Sequence, residues 1–397
     1  MDWITELGLA IVRMFMQPFM YLFFLLIFLS GYWRIKKDRQ HHGAKVYPYF
    51  YEARQNVSGT IVIGLLLSIV SVALGLIISL PFALLLGAVI LVLSLANHFS
   101  MLSAAHGLAI TAMITYVLNR YGTGYIPEAW LEQLDRTDLF YIPIIIAVLL
   151  FAEAWYVKQI NADDTFPELS KSGRGKFIGQ HRIKKLAIIP FIALFPVGSL
   201  ESFVDWWPVF EIGQQSFGLI VVPYLLGFEY VVKTSLVKTA TEWIAPRIRL
   251  LAILVLLLAA GSYVVPFLTM IALAAALIGK EIVQYLYRAK EQQERPYFQP
   301  SDKGLFVLGT LPDSPAVDLG LQPGEEIMKV NDQVVRNEDQ FYQAVNNNRA
   351  FCKVSIKDLE GELRFAQRAL YEGEHHKLGI LFVKETNMYQ ENIKQES

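Results

Sequence analysis

The chain has 397 residues, 54% of them hydrophobic and 18% charged, against about 25% charged in an average soluble domain. Its 35 Lys and Arg nearly balance 36 Asp and Glu, which excludes nucleic-acid binding through bulk positive charge. A mean hydropathy of +0.38 excludes a disordered chain, and a single cysteine, Cys352, excludes a disulfide-stapled fold. A polytopic membrane protein remains, provided the apolar residues come in spans.

In chain order, residues 1–13 are an N-terminal segment without a basic start. No A-x-A site follows the first apolar run at 14–33, so a retained anchor is expected rather than a cleaved signal. Residues 57–119 are 63 consecutive positions without Asp, Glu, Lys or Arg. At about 20 residues per crossing they hold three helices, with breaks at Pro81 and Asn97-His98. Further helical spans are expected at 139–157, 186–204 and 212–232. The uncharged run 250–279 has 30 residues. Gly261, Ser262 and Pro266 favour a short hairpin there, and one long tilted helix is the alternative. The expected fold is thus a polytopic α-helical membrane domain of eight or nine helices over 14–280.

Short cytoplasmic loops collect Lys and Arg. The loop 34–56 carries Arg34, Lys36, Lys37, Arg39, Lys45 and Arg54, and the loop 158–185 carries seven more cations. Lys233, Lys238, Arg247 and Arg249 mark a third basic segment. The stretches 120–138 and 201–211 are acidic by contrast. This alternation predicts an outside N-terminus and an inside C-terminus, with nine crossings if 250–279 is a hairpin. The seven Trp, among them Trp33, Trp155 and Trp206-Trp207, sit near segment ends as interfacial anchors.

Composition changes after Gly279. Residues 281–296 read as a linker helix ended by Pro296, and 297–385 as a small α+β domain followed by a polar tail, 386–397. Strands are expected at 303–310, through Ile327 and Val330, and through Val334-Val335, the last two joined at a two-residue Asn331-Asp332 turn. Ser314-Pro315 should open a helical turn, and 338–347 has helical spacing with Phe341, Ala344 and Val345 inward. The alternation over 352–357 turns Cys352, Val354 and Ile356 to one face, which makes Cys352 a core residue. Strands at 363–370 and 378–383 close the domain.

The run 304–335, with Ser314-Pro315-Ala316, Gly320-Leu321, Pro323-Gly324-Glu325, Ile327 and Val330-Asn331, resembles the core of a bacterial PDZ domain; Glu325 and Asp332 replace the usual Asp and Gly. Such domains are often circularly permuted, with the carboxylate-binding loop near the end, where this chain has Lys377-Leu378-Gly379-Ile380. The resemblance implies a peptide added to a sheet edge, in a groove formed by Lys377, Leu378, Gly379, Ile380 and Leu381 with Gln340, Phe341 and Ala344 of the helix. Gly379 is expected where a side chain would obstruct the peptide. A polytopic chain of this length with one C-terminal PDZ domain is similar to the MinJ family of cell-division topological determinants. That resemblance implies a bridge between DivIVA-like and MinD-like partners, at septum and poles.

Enzymatic readings need motifs that are missing. None of His41, His42, His98, His106, His181, His375 or His376 is followed by Glu, so the H-E-x-x-H of a membrane zinc protease is absent. Asn56-Val57-Ser58-Gly59 lacks the leading Gly of a rhomboid-type nucleophile, and no Asp lies in an expected span. His98 and His106 read as packing residues, and Glu153 and Glu229 as locally paired with Lys158 and Lys233. The expected function is a non-enzymatic membrane scaffold without metal or cofactor, contacting lipid and protein but no nucleic acid; self-association stays open. The alternative is a transporter-like or protease-accessory membrane protein with a regulatory PDZ module.

Overall fold

The computed structural model describes residues 3–54, 57–95, 99–173, 175–200, 217–348, 350–371 and 378–383. His98, Trp206-Trp207, Lys377 and the tail 386–397 lie outside the described residues. The N-terminal segment is a helix, α1 (Trp3–Met16). It is followed by α2 (Pro18–His42), the short α3 (Tyr51–Arg54), α4 (Val57–Leu74), α5 (Leu80–Leu95), a 3-10 turn at Phe99–Leu102 and α6 (Ala104–Tyr121). The charge-free run thus yields three helices, with a break just before Pro81. Next come α7 (Glu128–Asp135), α8 (Ile142–Gln159), three strands β1 (Phe166–Lys171), β2 (Phe177–Leu200) and β3 (Phe217–Val232), then α9 (Val237–Gly261) and α10 (Leu268–Gln293). The 250–279 run is a hairpin turning between Gly261 and Leu268. Among the described residues, α2, α4, α8, α9 and α10 are long and apolar enough to cross a membrane, and α5 is a shorter apolar helix.

The helical count requires correction, because the expected spans 186–204 and 212–232 supply β2 and β3, two strands of one antiparallel sheet. Pro190, Pro196 and Pro223 would each break a helix interior at about 3 kcal/mol. The surrounding isoleucines, valines and aromatics favour extended backbone. Pro190 and Pro223 are register partners. The Ile192 N–H, on the same side of β2 as position 190, points away from β3 to Ser68 Oγ at 2.9 Å. Both prolines therefore lack only outward N–H groups, and no ladder bond is lost. Pro196 falls where the register shifts, between Phe195 and Leu200, a place that tolerates proline.

Open sheet edges are not tolerated against lipid, where each unsatisfied backbone group costs several kcal/mol. Helices and a loop cover both edges here. On the β2 edge, the Leu194 N–H donates to the Leu76 carbonyl and the Leu194 carbonyl accepts from the Ile78 N–H, each at 2.9 Å. Gly64 of α4 lets the helix lie directly on Pro190, whose carbonyl oxygen a Cβ at position 64 would strike. On the β3 edge, α1 supplies side chains. Arg13 donates to the Leu219 carbonyl at 2.6 Å, Gln17 donates to the Val221 carbonyl at 2.8 Å, and Glu6 accepts from the Leu219 N–H at 3.4 Å.

The C-terminal region is β-rich: β4 (Leu305–Thr310), α11 (Pro315–Asp318), β5 (Glu326–Val330), β6 (Gln333–Val334), α12 (Glu338–Asn347), β7 (Phe351–Lys357), β8 (Leu363–Ala369) and β9 (Ile380–Phe382). The sheet order is β8-β7-β5-β4-β9, with β6 paired to β5. Asn331 and Asp332 both have positive φ, 49° and 65°, and Val330 pairs with Gln333 directly across them, as a two-residue hairpin turn requires. Cys352 is fully buried, and burial pushes its thiol up to about 11.

Replacing Gly64 with Val should push α4 off β2 and strip Ser68 from the Ile192 N–H. Thermal unfolding of the detergent-purified protein should fall by several degrees or the folded species should be lost. Gly8→Val on α1, where a Cβ meets nothing within 4 Å, should be silent in the same assay.

Candidate peptide groove and its setting

The bonds of β9 define which edge is free. The Gly379 carbonyl accepts from the Leu311 N–H at 2.7 Å and the Val383 N–H donates to the Phe306 carbonyl at 3.3 Å, both toward β4. By strand alternation, the backbone groups of Ile380 and Phe382 point to the other side. Among the described residues no strand pairs there, because β9 ends the sheet. Helix α12 approaches the same strand, with the Phe341 ring 5.0 Å from that of Phe382. Its start is fixed by Asn337, whose side chain accepts from the Gln340 N–H at 2.8 Å.

The expected groove residues divide into three sets. Ile380 and Leu378 are buried in the domain core with Phe341 and Ala344, and Gln340 is exposed at the helix start. Leu381 points elsewhere, into a second cluster with Val46, Phe166, Phe177 and Phe298. It belongs to the contact with the membrane domain, since successive strand side chains alternate faces. Gly379 adopts φ +77°, and a Cβ there would strike Ser314. The glycine is thus required by the fold itself, so obstruction of a peptide is not needed to explain it.

That second cluster seats the domain on the membrane half. The Gly179 N–H of β2 donates to the Phe298 carbonyl and the Tyr297 N–H donates to the Lys233 carbonyl, each at 2.8 Å. Phe298 packs against His181 with ring centroids 4.8 Å apart and the ring planes tilted by 51°. Glu325, the departure from the motif, is buried and holds Arg364 of β8 at 2.6 and 2.8 Å, so a carboxylate one methylene longer is used inside the domain.

The polar residues inside the helical half are paired at long range. Glu153 does not pair with Lys158; it bonds Lys280 of α10, both side chains being fully buried. Ser103 Oγ donates to Glu153 at 2.7 Å, and Lys280 donates to the Tyr230 hydroxyl at 2.9 Å. Glu229 likewise pairs with Arg182 rather than Lys233, and Arg182 also holds Glu168 at 2.8 Å. Burial pushes the Glu168 carboxyl up, but the hydrogen bonds and charge of Arg182 win and hold it at about 2. His106 lies 2.8 Å from Glu281. The sequence signal for these pairs was a carboxylate deep in an apolar run, which needs a cation on another span.

Comparison with known proteins adds the family. Over 391 residues the chain is 34% identical to the cell division topological determinant MinJ of Bacillus subtilis (strain 168), covering 97% of this chain and 96% of that protein. The chain belongs to the MinJ family. Probable MinJ proteins of Lacticaseibacillus paracasei and Lacticaseibacillus casei (strain BD-II) are each 23% identical over 386 residues, 95% of this chain and 99% of theirs. A solved PDZ domain, from an SdrC-like protein of Listeria monocytogenes, is 18% identical and covers 21% of this chain and 90% of its own, with a TM-score of 0.18. No family model matches the chain. This MinJ-family chain therefore combines apolar membrane helices, an enclosed β-hairpin and a C-terminal β-rich domain.

Two pairs of substitutions test this setting. Lys280→Met alone leaves Glu153 buried without its cation and should destabilise the purified protein by about 3–5 kcal/mol; adding Glu153→Gln should recover most of it in the same unfolding assay. Gly379→Ala should cost about 1–2 kcal/mol for the left-handed backbone plus the Ser314 clash, and Ser314→Gly should restore only the second part.

Proposed function

We propose that the chain is a non-enzymatic membrane scaffold whose C-terminal PDZ-like domain captures cytoplasmic cell-division proteins at the membrane. The observation that carries this reading is the free edge of β9 beside α12, in a domain seated on the membrane half. An extended segment can add to that edge by main-chain hydrogen bonds, with side-chain pockets giving selectivity. The groove we propose uses the backbone of Ile380 and Phe382, with Gln340 at its mouth. The last strand lying beside the first, β9 on β4, is the arrangement a circularly permuted PDZ domain would have. Family membership supplies the cellular context, and the partners we propose are the DivIVA-like and MinD-like proteins the resemblance implies.

The topology we propose keeps the basic loops inside and the N-terminus outside. Nine passages result, of which seven are helices and two are the strands of the enclosed hairpin. The domain is taken to span 297–385 after a linker at 281–296 that continues α10. The paired state of Glu153 with Lys280 supports a scaffold over a transporter, because that charge is already compensated inside the protein.

A photo-cross-linking residue at Gln340 of the full-length chain in dividing cells should capture a division protein and label septa and poles. The same residue at Phe365, which is 67% exposed on the opposite edge strand β8, should capture none. Equal capture from both positions, or capture only from Phe365, would place the partner surface elsewhere.

A further inference from the structure

A second site lies within the membrane half, sharing Phe166 with the cluster that seats the C-terminal domain. A cleft of about 360 Å³ opens between α2, the Phe99 turn and the sheet β1-β2-β3, lined among others by Trp33, Lys36, Lys37, Phe99, Arg182 and Lys184. Its charges are unequal. Arg34 is held by Glu52 and Asp38, and Arg182 is held by Glu168 and Glu229. Every acidic side chain lining the cleft is thus already engaged by Arg182. Among the described residues no carboxylate is within ion-pair distance of Lys36, Lys37 or Lys184. Lys184 is only 8% exposed, and its ammonium rests 3.8 Å from the centroid of the Phe99 ring. Glu229, its register partner on β3, and Glu52 attract it but are bonded to Arg182 and Arg34, so this buried ammonium has no anion bonded to it directly, a costly state unless one comes to it.

The helix above the cleft indicates which anion. Leu25, Leu29 and Trp33 are exposed, and at spacings of four residues they share one face of α2 with Lys36 and Lys37. That face presents apolar side chains, then an interfacial tryptophan, then lysines, in the order in which a phospholipid presents acyl chains, glycerol and phosphate. We propose that the cleft binds the phosphate headgroup of an anionic phospholipid from the leaflet facing the C-terminal domain, with Lys184 at its base and Lys36 and Lys37 at its rim. The acyl chains lie along the exposed face of α2. This site is independent of the peptide groove, and neither assignment depends on the other.

Native mass spectrometry of the full-length protein in detergent, titrated with phosphatidylglycerol, with phosphatidylcholine and separately with inorganic phosphate, tests the proposal. Phosphatidylglycerol should be retained in preference to phosphatidylcholine. Its affinity should fall about fivefold or more in Lys184→Met and in the double variant Lys36→Gln/Lys37→Gln, and should be unchanged in Arg249→Gln on α9. The rim variant alters two exposed side chains, so it decides the matter even if Lys184→Met fails to fold. Equal retention of the two lipids, or unchanged retention in the rim variant, would overturn the site. Binding of inorganic phosphate as tight as that of the lipid, and lost in the same variants, would overturn the lipid assignment in favour of a soluble phosphate.

Discussion

A pair of β-strands inside a helical membrane domain can exist only if every outward backbone group finds a partner, and this constraint organises the structure. The strands β2 and β3 satisfy each other on their inner sides. Their outer sides are met by different means: a loop backbone and a serine on β2, three polar side chains of α1 on β3. Prolines occupy two outward positions where an N–H would otherwise need an acceptor. The amphipathic α1, with Glu6 buried and bonded to Arg13, thus has a task that composition alone does not suggest. It is a cap for a sheet edge.

The same hairpin carries the link to the C-terminal domain. At 24 residues β2 would extend about 80 Å, long enough to run from the contact with Phe298 to the loop between α4 and α5. The domain rests on the start of β2 through Gly179, whose missing side chain leaves room for Leu308, Phe298 and Val383. Glu291 near the end of α10 accepts hydrogen bonds from the Lys233 and Thr234 N–H groups at 2.7 and 3.0 Å, tying that helix to the turn after β3. The free edge of β9 is therefore oriented by packing on both sides of the linker rather than left on a flexible tether.

The C-terminal domain was legible in the sequence because its signals are local. Alternation over 352–357, the Asn331-Asp332 turn and the spacing of 338–347 each report their own neighbourhood, and β7, the hairpin turn and α12 follow them. The hairpin was not legible, because a strand buried on both faces shows no alternation and reads as an unbroken apolar run, the same pattern a membrane helix gives. Its prolines were the available warning. Long-range pairs escaped for a different reason: Glu153 and Lys280 are 127 residues apart, and Lys158, soon after the glutamate in the chain, offered an easier local explanation. In the groove, Leu381 was assigned by motif order, whereas strand period alone separates it from Ile380 and Phe382.

These points bear on how the proposed scaffold would be specific. A peptide adding to β9 gains main-chain bonds that are the same for any sequence, so selection must come from the side chains around Ile380, Phe382 and α12 and from where the edge is held. A register shift of one residue in β2 would turn its entire side-chain set over, moving Gly179 out of the contact with Phe298 and placing a side chain there instead. The prolines at 190 and 223 oppose that shift, since either one moved by a single position would face its missing N–H toward the partner strand and lose a ladder bond. The register that encloses the hairpin in the membrane half is thus the same register that seats the domain carrying the free edge of β9, and one cannot change without the other.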